Sequence, residues 1–201
     1  MSGLTPSGFA LPEEGLSTAR LSFRPPIDSD ADQLKAIMSE GEVTRWLTDI
    51  PWPFEAYHAR DWVQRCQRSW GLDAAYPLFA FMGDDLAGSV TLTKVNGDEA
   101  ILGFWLNRAF WGQGLGLEMV SALTDWNFEQ RYFKRFVAGV HPDNARSIKL
   151  LEALGYVPIG ERMYILPPHD HRAIGPHYML TDDNWQAIQV AKARAERKAT
   201  K

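Results

Sequence analysis

The chain has 201 residues, 45% of them apolar and 23% charged, with a formal net charge of −4. That length suits one compact domain with trimmings; no run approaches the roughly 20 apolar residues of a membrane span, and the start lacks the pattern of a signal peptide. The only cysteine, Cys66, excludes an intrachain disulfide, and its place on the stripe Trp62, Val63, Cys66, Trp70 marks it as a buried thiol rather than a nucleophile. A cytoplasmic location is expected. From Gln186 onward five basic residues and one acid give a local +4, so the preceding body carries −8. Such an acidic body argues against nucleic acid as the main partner and is compatible with a cationic substrate.

In chain order, residues 1–16 are rich in Ser, Gly and Pro without an apolar period and read as a flexible leader, so the domain is expected to begin near Ser17. Leu21 and Phe23 before Pro25-Pro26 predict a short strand, and Asp28, Ser29 and Asp30 are candidate caps for a helix carrying Leu34, Ile37 and Met38. Trp46, Trp52 and Phe54 in a proline-containing loop read equally as a substrate pocket or as a core edge. A helix follows over about 55–70, then strands over 77–82 and 86–95. Asn96-Gly97 predicts a two-residue hairpin into a strand over 100–106. The chain then passes through Arg108 to Gly116 into a helix with the stripe Leu115, Met119, Ala122, Leu123, Trp126, and returns as a strand over 136–140. Such a strand-helix-strand unit predicts two parallel strands. A third helix, capped by Asp143 or Asn144, carries Ile148, Leu151 and Leu154 and stops at Gly155; strands over 157–166 and 177–181 and a basic helical tail from 186 complete the chain. The expected class is α/β, a mixed α+β sheet of about seven strands with helices on both faces and no second domain.

Trp111-Gly112-Gln113-Gly114-Leu115-Gly116 stands where a strand hands over to a helix. Glycines there let backbone approach a ligand, and the free N–H groups of the first helical turn favour a phosphate or diphosphate, although a tight turn without ligand uses the same residues. Position 117 is Leu where a dinucleotide fingerprint wants glycine, and no Gly-Lys-Ser/Thr is present, so nicotinamide and P-loop nucleotide chemistry are disfavoured.

With this turn, the opening Thr18-Ala19-Arg20-Leu21-Ser22-Phe23-Arg24-Pro25 followed by Asp30 and Asp32, the strand Leu102-Gly103-Phe104-Trp105-Leu106, Glu118, Asn144-Ala145-Arg146-Ser147 and Leu154-Gly155-Tyr156, the chain resembles the GNAT superfamily of N-acetyltransferases. Within it the likeness is to the RimJ/RimL-like branch of ribosomal-protein N-terminal acetyltransferases, over about 17–182. The resemblance implies that acetyl-CoA is the cosubstrate, without a metal, and that a primary amine, a protein N-terminus or a small molecule, attacks the thioester directly. It implies a splayed parallel strand pair holding the pantetheine arm. Phe104, Trp105 and Leu106 would offer the strand edge, Trp111, Gly112, Gln113, Gly114, Leu115, Gly116 and Leu117 the diphosphate turn, and Asn144 a contact from the other side. Trp105 and Leu106 read equally as core, and Asn144 as a helix cap.

A backbone N–H near Leu106 is expected to stabilise the oxyanion. The resemblance implies Ser147 near the sulfur, where the superfamily's usual tyrosine aligns with Leu151; a locally bonded helix-N-terminal hydroxyl is the alternative. Glu99 begins the strand facing the thioester and is the candidate base, although the branch's glutamate aligns nearer Ile101; Glu42, Asp49 and His141 are further candidates. His169 and His171 read as a polar loop rather than a metal site. The rival readings are an acyl-CoA-binding or sensor protein without transfer and a drug- or metabolite-specific acetyltransferase. A homodimer is a further expectation.

Overall fold

The computed structural model describes residues 9–13, 15–48, 50–166 and 171–199. Its strands are β1 (Leu16–Ser17), β2 (Ser22–Arg24), β3 (Ala75–Met82), β4 (Asp85–Lys94), β5 (Glu99–Leu106), β6 (Arg135–Gly139), β7 (Val157–Leu166) and β8 (His171–Thr181). The helices are α1 (Ala31–Met38), α2 (Gly41–Thr44), α3 (Ala56–Gly71), α4 (Leu115–Gln130), α5 (Ala145–Ala153) and α6 (Asp182–Ala199). One sheet runs in the order β1-β2-β3-β4-β5-β6-β8-β7, antiparallel except for the β5–β6 pair.

Alternation along the central strands divides the core. Tyr76, Leu78 and Ala80 of β3, with Ala100 and Leu102 of β5, meet Leu115, Met119 and Leu123 of α4 on one face. Phe79, Phe81 and Trp105 meet Leu34, Met38 and Val63 of α1 and α3 on the other. Helices cover both faces, so β3 reads as a nearly continuous apolar run rather than an alternating one. No helix among the described residues is long and apolar enough to cross a membrane.

Three local expectations are corrected. The leader does not end at Ser17: Phe9 is buried in the core, stacked on Tyr76 with ring centroids 3.9 Å apart and edge-on to Trp126, and Leu16–Ser17 forms the eighth strand. A lone aromatic carries no period, so nothing local announced it. The link from β4 to β5 is a four-residue loop over 95–98 in which the N–H groups of Asp98 and Glu99 donate to Asn96 Oδ1, and Gly97 stays out of the left-handed region a two-residue turn requires. The C-terminal helix is no detached tail. Trp185 Nε1 and Gln189 Nε2 both donate to Asp125 of α4, and Ile188 lies so close to Gly155 that a Cβ there would clash with it. Gly155, at φ +86°, does end α5 as its sequence position implies.

Candidate active site

Strands β5 and β6 pair only over Glu99–Ile101 and Arg135–Val137. Beyond this, β5 stays zipped to β4 as far as Leu106, while β6 follows β8 to the Gly139–His177 pair, so a gap opens between them. The N–H of Asn107 donates to Ala87 O, and by antiparallel alternation the polar groups of Phe104 and Leu106 therefore point away from β4 into that gap. The Leu106 carbonyl is taken by Trp111 Nε1 at 2.8 Å, leaving its N–H. Trp105, by the same alternation, spends its backbone on β4, and its indole is buried edge-on against Phe79. Phe104 and Leu106 offer the open strand edge, while Trp105 borders the cavity without offering backbone groups to it.

The glycine turn stands at the mouth of the gap. Gly112 and Gly114 both have φ +76°, a conformation that L side chains rarely adopt; the space where a side chain would project is open at Gly112, and at Gly114 it meets only the Arg20 guanidinium at 3.8 Å. Among the described residues no backbone carbonyl accepts from the N–H groups of Leu115, Gly116 or Leu117, which are the orphan donors of the first turn of α4. At Gly116 a Cβ would crowd Leu150 of α5. Behind the turn, Arg20 donates to the Gln113 carbonyl at 3.0 Å and pairs with Glu118, whose carboxylate also accepts from the Thr18 hydroxyl at 2.5 Å. Burial acts to raise the Glu118 pKa, but Thr18 and Arg20 together hold it below the ordinary glutamate range. The Gln113 side chain turns to Ala109, its Nε2 donating to Ala109 O, and is not among the residues lining the cavity.

A cavity of about 670 Å³ joins the gap, the turn and the start of α5. Asn144 lines it and also caps α5, its Oδ1 accepting from the Ser147 N–H at 3.2 Å, so both readings of Asn144 hold at once. Ser147, Leu115, Gly116 and Leu117 line the cavity as well. Orphan amides, an uncrowded glycine turn and a polar helix start fit a diphosphate followed by an extended, hydrogen-bonding arm, which is the shape of coenzyme A.

The acceptor side departs from expectation. Trp46 lines the cavity, its ring 5.6 Å from that of His141. Trp52 is 47% exposed beside Gly41 and Phe54 is buried in the core with α1 and α3; neither lines the cavity, and the three-aromatic pocket reduces to Trp46. Glu99 also stays outside, because it lies on the zipped end of the strand pair and bonds to Arg135 at 2.5 Å. Glu42 borders a separate hollow with Glu40 and Arg108. Asp49 and His169 lie outside the described residues, as does the His171 side chain.

His141 lines the cavity with its Nδ1 accepting from the Asp143 N–H at 3.2 Å, which puts the neutral ring's hydrogen on Nε2. Tyr164 of β7 reaches across β8 to cover Gly139 and was not foreseen; burial raises its pKa and keeps it a phenol. Cys66 is buried, its thiol pushed up to about 11, so it is inert. Among the described residues no group of three or more His, Cys, Asp or Glu could hold a metal.

Fold and site thus define a transferase that uses an acyl-coenzyme A. Residues 20–157 match the Acetyltransferase (GNAT) domain. The uncharacterized N-acetyltransferase p20 of Bacillus licheniformis is 31% identical over 148 residues, 71% of this chain and 82% of that protein. The probable N-acetyltransferase YjcK of Bacillus subtilis is 32% identical over 84 residues, 40% and 46% of the two chains. Among solved structures, the microcin C7 self-immunity acetyltransferase MccE in complex with acetyl-CoA and AMP has a TM-score of 0.74 at 18% identity, covering 89% of this chain and 98% of that one. RimL, the ribosomal L7/L12 alpha-N-protein acetyltransferase in complex with coenzyme A, has 0.72 at 19%, covering 82% and 95%. The chain belongs to the GNAT acetyltransferase family and is an N-acetyltransferase dependent on acetyl-CoA.

Proposed function

We propose that the acceptor is a primary amine of low pKa, a protein N-terminus in preference to a lysine or polyamine, attacking the thioester directly. The observation that carries this reading is the absence of any Asp or Glu among the described residues lining the cavity. Its titratable lining groups are His141, Arg146, Lys149 and Tyr164. His141 already spends its Nδ1 on the Asp143 N–H, and a phenol above its usual pKa is no base. The enzyme therefore relies on an amine that is already neutral. An α-amine of pKa about 8 is roughly a tenth neutral at pH 7, a lysine of about 10.4 less than a thousandth. The name of RimL, which specifies an alpha-N-protein acceptor, agrees with this chemistry.

In the reaction the amine attacks the acetyl carbonyl, the Leu106 N–H meets the developing oxyanion, the C–S bond breaks with the thiolate leaving towards Ser147 in the first turn of α5, and the proton shed by the amine nitrogen passes to that thiolate or to solvent. A thiol of pKa about 8.5 is a fair leaving group, so the serine hydroxyl contributes a hydrogen bond rather than a full proton transfer. Ser147→Ala should lower kcat about tenfold and leave the acetyl-CoA Kd near wild type. The reading is tested by thiol release with N-terminally free peptides, with peptides blocked at the N-terminus and carrying a free lysine, and with polyamines and aminoglycosides. Turnover with the α-amines, with kcat/KM rising about tenfold per pH unit up to about pH 8, is the expected result. Turnover confined to polyamines or aminoglycosides would point to the metabolite- or drug-specific alternative.

A further inference from the structure

Beyond the glycine turn, one side chain on the opposite wall stands in a place that folding does not explain. Arg146 occupies the first turn of α5, where its charge opposes the positive end of the helix dipole, and that turn holds no acid. No carboxylate pairs with it among the described residues. Its guanidinium instead lies over the Trp111 indole, 4.5 Å from the ring centroid. Trp111 is fixed in turn: its Nε1 is spent on the Leu106 carbonyl, so the ring serves as a plate directly before Gly112. A guanidinium held over an indole through its cationic centre has N–H groups to offer outward, and a guanidinium suits two oxygens of one anion. Trp111 and Arg146 both line the cavity that receives the orphan amides of Leu115, Gly116 and Leu117.

We propose that Arg146, stacked on Trp111, binds the coenzyme's diphosphate from α5 while the turn amides hold it from α4. A diphosphate fits better than the terminal ribose phosphate because the plate adjoins Gly112 in sequence, which brings the cation to the turn itself. The anion would also relieve the unfavourable placement of the charge, so the helix start and the ligand stabilise each other. The inference rests on the acetyl-CoA assignment and adds to it a residue outside the glycine motif.

Calorimetric titration of the ligand-free enzyme with CoA and with 3′-dephospho-CoA tests it, using wild type, Arg146→Ala and Arg146→Lys. Arg146→Ala is expected to weaken both ligands by the same factor, about ten- to a hundredfold. Arg146→Lys should recover only part, since an ammonium neither stacks nor bonds bidentately. Unchanged affinity would overturn the proposal, as would a loss seen with CoA alone, which would assign Arg146 to the 3′-phosphate. Failure of the wild type to bind CoA would instead strike the acetyl-CoA assignment itself.

Discussion

The two walls of the cavity are made by different means. The coenzyme wall is mainly backbone: Gly112 and Gly114 held at positive φ, three amides of α4, and the strand edge of Phe104 and Leu106, nearly all inside 104–117. The wall to which the proposed reading assigns the acceptor is side chains from remote segments, Trp46 after α2, Ile101 of β5, His141 after β6 and Tyr164 of β7. Backbone recognition needs only that a short segment fold one way, and it suits a ligand that never changes. A wall assembled from four segments can change one side chain at a time without disturbing the glycine turn.

If this division is right, damage to one wall should leave the other's substrate alone. The largest effect is expected from Gly114→Val. A β-branched residue at φ +76° is strained, and relief of that strain would turn the amides away from the diphosphate. The acetyl-CoA Kd should rise on the order of a hundredfold, measured by titration, with the far-UV dichroism unchanged. Trp46→Ala acts on the opposite wall, removing a half-buried indole that packs near His141. The acceptor KM should rise about fivefold while the acetyl-CoA Kd stays within twofold, since a partly exposed aromatic contributes about 1 kcal/mol. An equal loss in both constants would mean that the walls are one unit.

The same division explains what the sequence discloses. The glycine turn, the cap at Asn144, the stop at Gly155 and the parallel unit from β5 to β6 follow from residues close together in the chain, and all are found. Phe9, Tyr164 and the Arg146–Trp111 stack depend on contacts across long stretches of sequence, and no local period records them. Trp46, Trp52 and Phe54 stayed open between a pocket and a core edge because an aromatic cluster in a loop fits both; side-chain direction decides, and for Phe54 it is set by helices α1 and α3. Glu99 misled for the related reason that its neighbour Arg135 comes from another strand.

The smallest effect tests how the backbone wall is kept in shape. Thr18, Arg20 and Glu118 lie up to 100 residues apart, yet they brace the Gln113 carbonyl from behind and neutralise an acid two residues past the glycine turn. Because Glu118 is held below the ordinary glutamate pKa, its ionised form favours the folded state. That contribution is fully present above the unfolded value of about 4.3 and is lost as pH falls through the lower folded value. Glu118→Gln should therefore cost about 1 kcal/mol at pH 7, the upper end for a pair whose arginine is 44% exposed. In melts at a series of pH values, the gap between wild type and variant should be constant above about pH 5 and close as pH drops below about 4. A gap that persists at pH 3 would mean that the carboxylate's charge is not what steadies the turn, and the brace would then be a matter of packing alone.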